Sequence, residues 1–229
     1  MPTSRTVALK GVSAVLFDLD GTFADTAPDM ARALNVLRSN HGLEALSVAS
    51  ARSHVSRGAR GMIDVGFGIG PADPRFVPLR DAFYDEYQGN ICIESKLFDG
   101  MELLIHAMEK RSIAWGIVTN KAARFALPIA ETLGFATRAA CIVCGDTTPH
   151  IKPHPAPLRH AAELIGVAPQ DCIYVGDDER DIQAAHAAGM RGVAATYGYI
   201  GAETDSKDWG AEYSINSPIE LQSLLFGEN

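Results

Sequence analysis

The sequence of 229 residues predicts an α/β fold in which a parallel sheet carries helices on both faces and a helical segment is inserted after the first strand. Short apolar runs alternate with segments of helical pattern, which is typical of parallel sheets. The alternation breaks once, between about residues 26 and 96, where only helical patterns occur. We therefore predict a core domain of residues 1–25 and 97–229 and a helical cap domain of residues 26–96.

Five apolar runs predict the strands of the core. Each run has four to six residues and is bounded by Gly, Asp or Asn, as buried strands commonly are. Because helical segments separate most of them, we expect the strands to be parallel. The runs are AVLF (14–17), AWGIVT (114–119), CIVC (141–144), CIYV (172–175) and GVAA (192–195).

Capping signals predict where the core helices begin and end. Asp99 and Glu102 have the spacing of a capping box before an apolar segment that runs to Met108. A proline near the start of a helix and a glycine just past its end also indicate helix boundaries. They place three further helices, marked by Pro155 and Gly166, by Gly189, and by Ser217, Pro218 and Glu220.

The sequence pattern of the insert indicates helices throughout. Apolar residues recur at helical spacing from Ala27 to His41, and helical segments continue to Tyr87. Between these segments lies a glycine cluster that follows no strand and lacks the dinucleotide-binding spacing, so we interpret it as a turn. Its members are Gly66, Gly68 and Gly70.

Composition limits the classes of partner. The formal net charge of −8 argues against a surface that binds nucleic acid through its phosphates, so we expect a small molecule as the partner. No apolar run approaches the length needed to span a bilayer, and the N-terminal residues lack a signal-peptide cleavage pattern. We therefore predict no membrane partner and a cytoplasmic location. The cysteines fit reduced thiols, and Cys141 and Cys144 should point to opposite faces of their strand.

Polar and charged side chains follow four of the predicted strands. Ligands of parallel sheets bind outside the carboxyl ends of the strands, so we expect these side chains to form one site. Clustered buried carboxylates repel one another, and a divalent cation is their natural compensation; oxygen ligands favour Mg²⁺. Such a site suits a phosphoryl group. The residues are Asp18, Asp20, Thr119, Asn120, Lys152 and Asp177, with Asp178 and Asp181 nearby.

Asp18 and Asp20 are predicted to divide the chemistry. Residues two apart on an extended strand share a face. One carboxylate can then attack phosphorus while the other donates a proton to the leaving oxygen and later takes one from water.

Four segments together resemble the haloacid dehalogenase superfamily of aspartate-nucleophile phosphohydrolases. They are DLDGT (18–22), VTN (118–120), KPHPAPL from Lys152 and GDDERD from Gly176. The resemblance covers nearly the whole chain and implies a Rossmann-like core with an inserted α-helical cap. It implies that Asp18 is the nucleophile and a metal ligand, that Asp20 is the general acid/base and a metal ligand through its carbonyl, and that Asp177 is a metal ligand. It further implies that Thr119 and Lys152 bind the phosphoryl group.

The substrate is predicted at the level of a class. Within the superfamily the chain resembles phosphoglycolate phosphatases, and KPHPAPL with GDDERDIQAAHAAGM also resembles phosphatases of N-acetylmuramic acid 6-phosphate. We expect the substrate to be a small phosphorylated acid or a sugar phosphate, and 2-phosphoglycolate is the first candidate. Asn120 and Arg57 are further candidates for substrate binding, and Arg60 lies one turn from Arg57 if that segment is helical. A phosphomutase of the same superfamily and a non-catalytic interaction protein are the alternatives, and the division of roles between Asp178 and Asp181 stays open.

Overall fold

The computed structural model describes residues 9–200 and 205–227. Its strands, in chain order, are β1 (Ala14–Phe17), β2 (Ala24–Asp25), β3 (Lys96–Leu97), β4 (Ala114–Val118), β5 (Cys141–Val143), β6 (Cys172–Gly176), β7 (Arg191–Ala195) and β8 (Tyr213–Ile215). Its helices are α1 (Ala27–Asn40), α2 (Val48–Arg52), α3 (Gly58–Phe67), α4 (Phe76–Gly89), α5 (Met101–Glu109), α6 (Ala123–Thr132), α7 (Ala156–Ile165), α8 (Glu179–Ala188) and α9 (Pro218–Phe226). Short 3₁₀ turns lie at Val55–Arg57, Pro169–Asp171 and Ser206–Trp209.

Six strands form one parallel sheet in the order β5-β4-β1-β6-β7-β8. Strand β1 lies in the interior, with Phe17 level with Ile117 of β4 and Val175 of β6. The chain therefore extends the sheet to one side of β1 with β4 and β5 and to the other side with β6, β7 and β8. The residues that follow β1, β4 and β6 meet at one edge of the sheet, where open α/β folds bind ligands.

Helices cover both faces of the sheet, which confirms the predicted fold class. Val15 and Phe17 pack on the side of α5, α6 and α9, whereas Ala14 and Leu16 pack on the side of α7 and α8. This alternation is the two-residue period of a strand buried on both faces. Cys141 and Cys144 are buried in different clusters, one on each face, as the spacing predicted.

The helical insert packs around an apolar cluster of its own. Its helices α1 to α4 lie between β1 and β4 in the chain, and their inner faces bury residues such as Leu34, Met62 and Phe83. The chain leaves and re-enters the core through β2 and β3, which pair antiparallel. This ribbon coincides with the predicted boundaries at 25/26 and 96/97, and we keep the division into a cap of residues 26–96 and a core as a proposal.

The predicted capping box at Asp99 and Glu102 is wrong. Gly100 is the residue before α5, its backbone has φ of +87°, and no side chain caps the helix there. A Cβ at Gly100 would lie 2.6 Å from the Cγ1 atom of Ile219 in α9. The positive φ favours glycine at this position, the Ile219 side chain adds to that preference, and a glycine here offers no side chain to cap α5.

Other boundaries follow their signals more closely. Gly166 and Gly189 end α7 and α8 in the left-handed conformation, and Ser217 accepts a hydrogen bond from the backbone of Glu220 at the start of α9. The short edge strand β8 and the ribbon of β2 and β3 carry no apolar run and were not predicted. Across the described ranges, none of the helices combines the length and apolarity needed to span a bilayer.

Candidate active site

Asp18 stands directly after β1, at the edge of the sheet where the strand ends meet. Its backbone N–H still donates to the carbonyl of Val175 in β6, at 2.9 Å, so its position continues the sheet. The carboxylate accepts from the backbone N–H of Leu19 at 2.8 Å and lies 2.9 Å from the Lys152 ammonium. The side chain is thus oriented by the backbone and by one cation.

Lys152 is the central cation of the site. Its ammonium lies 2.9 Å from Asp18, 2.8 Å from Asp181 and 2.7 Å from the hydroxyl of Tyr174. The residue is only 3% exposed, so an unpaired ammonium here would be costly. Burial lowers the pKa of Lys152, but the charges of Asp18 and Asp181 outweigh it and raise the pKa above its usual value. The lysine is therefore held in its charged form.

Asn120 fixes the loop that carries Lys152. Its side-chain amide donates to the backbone carbonyl of Lys152 at 3.0 Å and accepts from the backbone N–H of Lys152 at 2.9 Å. Two reciprocal hydrogen bonds tie the loop after β5 to the end of β4. Thr119, which precedes Asn120, is buried, and its hydroxyl accepts from the backbone N–H of Lys121 at 3.2 Å.

Asp177 is buried at the end of β6 and lies against glycine. It accepts from the backbone N–H of Tyr199 at 2.7 Å and from the hydroxyl of Thr22 at 2.9 Å. A Cβ at Gly21, where φ is +84°, would lie 2.1 Å from a carboxylate oxygen of Asp177. Only glycine therefore allows the turn after β1 to approach Asp177 this closely.

Asp178 and Asp181 have separate structural roles. Asp178 caps α8 and pairs with Arg180, whose Nε lies 2.7 Å from the carboxylate. Asp181 points the other way, to Lys152, and also accepts from the backbone N–H of Asp178 at 3.1 Å. A Cβ on Gly176 would lie 2.2 Å from a carboxylate oxygen of Asp181. The sequence left these two roles undivided because only the helix geometry separates them.

Three carboxylates converge on one point. Asp18, Asp177 and Asp181 each offer an oxygen, and these oxygens lie within 4.8 Å of one another. Burial first, and then the charges of Asp18 and Asp181, raise the pKa of Asp177 well above its ordinary value. Burial and the charge of Asp18 likewise raise the pKa of Asp181, against the opposing effect of Lys152. The cluster is short of positive charge, and its hard oxygen donors fit Mg²⁺.

The carboxylate of Asp20 does not belong to that cluster. It lies 2.9 and 3.1 Å from the ammonium of Lys121 and accepts a hydrogen bond from the hydroxyl of Thr26, where the helical insert begins. Asp18 and Asp20 therefore lie at the same strand end but have different partners. The predicted ligation of a metal by the carbonyl of Asp20 stays a prediction.

Lys121 was missed by the sequence analysis. Its side chain is 7% exposed, and its ammonium lies 4.9 Å from the ring centroid of Tyr87 in α4 as well as beside Asp20. Burial lowers the pKa of Lys121, but its interactions with Asp20 and Tyr87 outweigh burial and raise the pKa above its usual value. The signal was present, since a basic residue directly follows the Thr-Asn pair at the end of β4, but its partner is distant in sequence.

A cavity of about 310 Å³ opens between the strand ends and the insert. Asp18, Asp20, Thr119, Asn120 and Lys152 all line it, so the structure brings these predicted residues together. Arg57 also lines the cavity, but it pairs with Asp64 at 3.1 Å and both side chains are nearly half exposed. The segment from Arg57 to Arg60 is not one helix, because the 3₁₀ turn ends at Arg57 and α3 begins at Gly58. Arg60 is exposed.

Comparison with known proteins gives a consistent set of relatives. The family model described as haloacid dehalogenase-like hydrolase matches residues 15–195. An N-acetylmuramic acid 6-phosphate phosphatase of Pseudomonas aeruginosa is 41% identical over 214 residues, covering 93% of this chain and 95% of the relative. A phosphoglycolate phosphatase of Xanthomonas campestris pv. campestris is 44% identical over 208 residues, covering 91% and 94%. The fold is shared with a predicted phosphoglycolate phosphatase structure from Haemophilus somnus, with a TM-score of 0.82, 24% identity and coverage of 95% and 99%.

Proposed function

The chain belongs to the haloacid dehalogenase-like hydrolase family, and from that premise we propose that it is a Mg²⁺-dependent phosphomonoesterase that works through a phosphoaspartyl intermediate on Asp18. The observation that carries the proposal is the convergence of three carboxylates on one point, with Lys152 bridging two of them. A lysine and hard oxygen donors at the ends of parallel strands suit a phosphoryl group.

In the first step the Asp18 carboxylate attacks phosphorus and the bond from phosphorus to the ester oxygen breaks. The leaving oxygen takes a proton from the Asp20 carboxyl. In the second step Asp20 takes a proton from water, the water oxygen attacks the phosphorus, and Asp18 is released together with inorganic phosphate. Lys152 and Thr119 bind the phosphoryl oxygens in this scheme, and Asn120 acts by fixing the loop of Lys152.

Asp18, Asp177 and Asp181 are the residues that would hold Mg²⁺. The fit rests on their oxygen donors, which lie within 4.8 Å of one another, and on the raised pKa of the Asp177 carboxyl, which burial causes first and the neighbouring charges of Asp18 and Asp181 second. When bound, the ion would supply positive charge for the phosphoryl oxygens and the nucleophile. The sequence-based expectation named Asp18, Asp177 and the backbone carbonyl of Asp20; Asp181 is an addition to that set, and the Asp20 carbonyl remains part of the proposal.

Two substrates are proposed, and both carry a carboxylate besides the phosphate ester. We put 2-phosphoglycolate first. The support is the similarity to proteins named phosphoglycolate phosphatase, one of which is 44% identical to this chain. N-Acetylmuramic acid 6-phosphate is second, supported by the relatives at 41% identity and by a cavity of about 310 Å³, which is within the size range of small-molecule sites. A cytoplasmic location remains part of the proposal.

The test is phosphate release from purified protein with Mg²⁺. We expect hydrolysis of at least one of 2-phosphoglycolate and N-acetylmuramic acid 6-phosphate, in preference to common hexose phosphates, and loss of activity when the metal is chelated. Asp18→Asn keeps the shape of the side chain but removes the nucleophile, so we expect a loss of about a thousandfold or more in kcat. Asp208→Asn, an exposed carboxylate, is the matched control and should keep wild-type activity.

Two other outcomes would redirect the assignment. Wild-type protein as inactive as Asp18→Asn across the panel would contradict the proposal and favour a non-catalytic binding protein. Slow phosphate release that a sugar bisphosphate strongly activates would assign a phosphomutase instead.

A further inference from the structure

The cavity carries five basic side chains, and four of them face a carboxylate of this chain. In each such pair a substrate anion would share the cation with a carboxylate of the protein. Lys152 faces Asp18 and Asp181, and Lys121 faces Asp20. The other two pairs are Arg180 with Asp178 at 2.7 Å and Arg57 with Asp64 at 3.1 Å.

Arg124 is the fifth basic residue of the cavity wall. Within residues 9–200 and 205–227, no carboxylate lies within ion-pair distance of its guanidinium, and no hydrogen bond engages its side chain. It lies in the first turn of α6, five residues after Thr119. This arginine and the phosphoryl-binding threonine therefore belong to one segment that enters the cavity.

Aromatic rings hold the guanidinium of Arg124. Its central carbon lies 4.5 Å from the ring centroid of Phe125 and 4.9 Å from that of Tyr84, and the two rings are 5.2 Å apart. Tyr84 belongs to α4 of the insert, whereas Phe125 belongs to α6 of the core. Stacking fixes the plane of a guanidinium without using its N–H groups, which stay free to donate to an anion.

We infer that Arg124 binds the carboxylate of a phosphorylated acid and makes the enzyme specific for such substrates. The inference rests on the proposed function and deepens it. Lys152, which lies among the carboxylates, binds the phosphoryl group of the substrate. Arg124 binds the carboxylate of the same small molecule. A planar guanidinium with paired donors matches a carboxylate in two parallel hydrogen bonds.

Arg124 is favoured over Arg57 for this role. Arg57 was the sequence-based candidate, but it already pairs with Asp64 at 3.1 Å, whereas Arg124, equally an exposed residue, contacts two aromatic rings instead. A substrate carboxylate at Arg57 would compete with Asp64, and no such competitor faces Arg124 within the part of the chain that the structure describes. Arg57 is therefore the matched control, since it carries the same group on the wall of the same cavity.

The test compares each acid with a partner that lacks the carboxylate and is called neutral at that end; the carboxamide keeps nearly the same shape, whereas N-acetylglucosamine 6-phosphate lacks the whole lactyl group. N-Acetylmuramic acid 6-phosphate is paired with N-acetylglucosamine 6-phosphate, and 2-phosphoglycolate with its carboxamide. Wild type should prefer the acid in at least one pair. In Arg124→Gln, kcat/KM for the preferred acid should fall about 10- to 100-fold, whereas that for its neutral partner changes less than about threefold. Arg124→Lys should keep part of the preference, and Arg57→Gln should keep all of it.

Several results would overturn the inference while leaving the phosphatase proposal intact. One is a wild type that hydrolyses the neutral esters as well as the acids. Another is an Arg124→Gln variant in which kcat/KM falls by the same factor for both members of a pair, which would indicate that Arg124 has a structural role. A wild type that hydrolyses none of the esters would instead count against the proposed function.

A binding measurement keeps the inference testable without turnover. In the Asp18→Asn background, titration calorimetry with 2-phosphoglycolate and with its carboxamide measures the preference directly. The inference predicts weaker binding of the acid, by about 10-fold or more, when Arg124→Gln is added, with the carboxamide little affected. Equal losses for both ligands, or no loss for either, would contradict it.

Discussion

At the scale of single residues, the sequence predicted the residues that meet at the strand ends but not their partners. Asp18, Asp177 and Lys152 could be named because each follows a strand of a parallel sheet. Lys121 was missed, since its contact with Asp20 joins residues 101 positions apart. The sequence pattern shows which residues follow each strand. Which side chains pair with one another depends on distances that only the folded structure determines.

Lys121 is predicted to position Asp20 as the proton donor. In Lys121→Met, kcat/KM for an alkyl phosphate should fall about 100-fold, because kcat/KM reports the steps through departure of the leaving oxygen, which needs a proton. For an aryl phosphate the loss should be about 10-fold or less, since that leaving group departs without full protonation. Steady-state kinetics with both esters make the comparison.

The control for this prediction is Lys110→Met, which removes an exposed lysine and should leave both rates unchanged. Equal losses on the two esters in Lys121→Met would show that the lysine only supports the fold. Unchanged rates on both esters would show that Asp20 needs no help from it.

At the scale of elements, capping and periodicity predicted most core helices and strands. They failed at the start of α5, where Gly100, with a positive φ and close to Ile219 of α9, precedes the helix in place of the expected capping box. They also missed the ribbon of β2 and β3, whose two-residue strands are too short to show a period. The connection between insert and core depends on contacts of this kind, and one of them involves a buried charge.

Asp29 in α1 ties the start of the insert to the chain that returns from it. Its carboxylate is 0% exposed and accepts from the backbone N–H groups of Ile93, Glu94 and Ser95, from the Ser95 hydroxyl and from Arg32. Burial raises the pKa of Asp29, but the hydrogen bonds from Ser95, Arg32 and the backbone outweigh it and lower the pKa below its usual 3.8. The folded state therefore favours the ionised carboxylate.

The stability that Asp29 contributes should depend on pH. A pKa lowered by folding contributes stability above the unfolded value, near 3.8, and that stability is lost as the pH falls through this value toward the folded pKa. We expect Asp29→Asn to lower the free energy of unfolding by about 2 to 4 kcal/mol at pH 7. The difference from wild type should shrink between about pH 5 and pH 3.

Urea unfolding at several pH values measures this difference. Asp85→Asn, an exposed aspartate on α4, is the control and should change stability by less than about 0.5 kcal/mol. A wild-type advantage that stays constant down to pH 3 would mean that the charge of Asp29 does not stabilise the protein.

At the scale of the whole molecule, the alternation of strands and helices was enough to predict a parallel sheet, but not its strand order. The order β5-β4-β1-β6-β7-β8 puts β1 between β4 and β6, and that neighbourhood creates the site. The insert closes over the same strand ends, where Arg180 of α8 donates to the backbone carbonyl of Ser56 at 2.8 Å. A chain with a formal net charge of −8 thus builds a cavity lined by five basic side chains, four of which pair with carboxylates of the protein.

The central claim is that Asp18 receives the phosphoryl group, and trapping the intermediate tests it most directly. Asp20→Asn should still be phosphorylated by an aryl phosphate with Mg²⁺ present, because that leaving group needs little protonation, but hydrolysis should be slow without the base. Rapid acid quench followed by peptide mass spectrometry should then find a phosphoryl group on Asp18 in near-stoichiometric yield, with a matching burst of released phenol. No burst and no modification, or a phosphoryl group on another residue, would contradict the account.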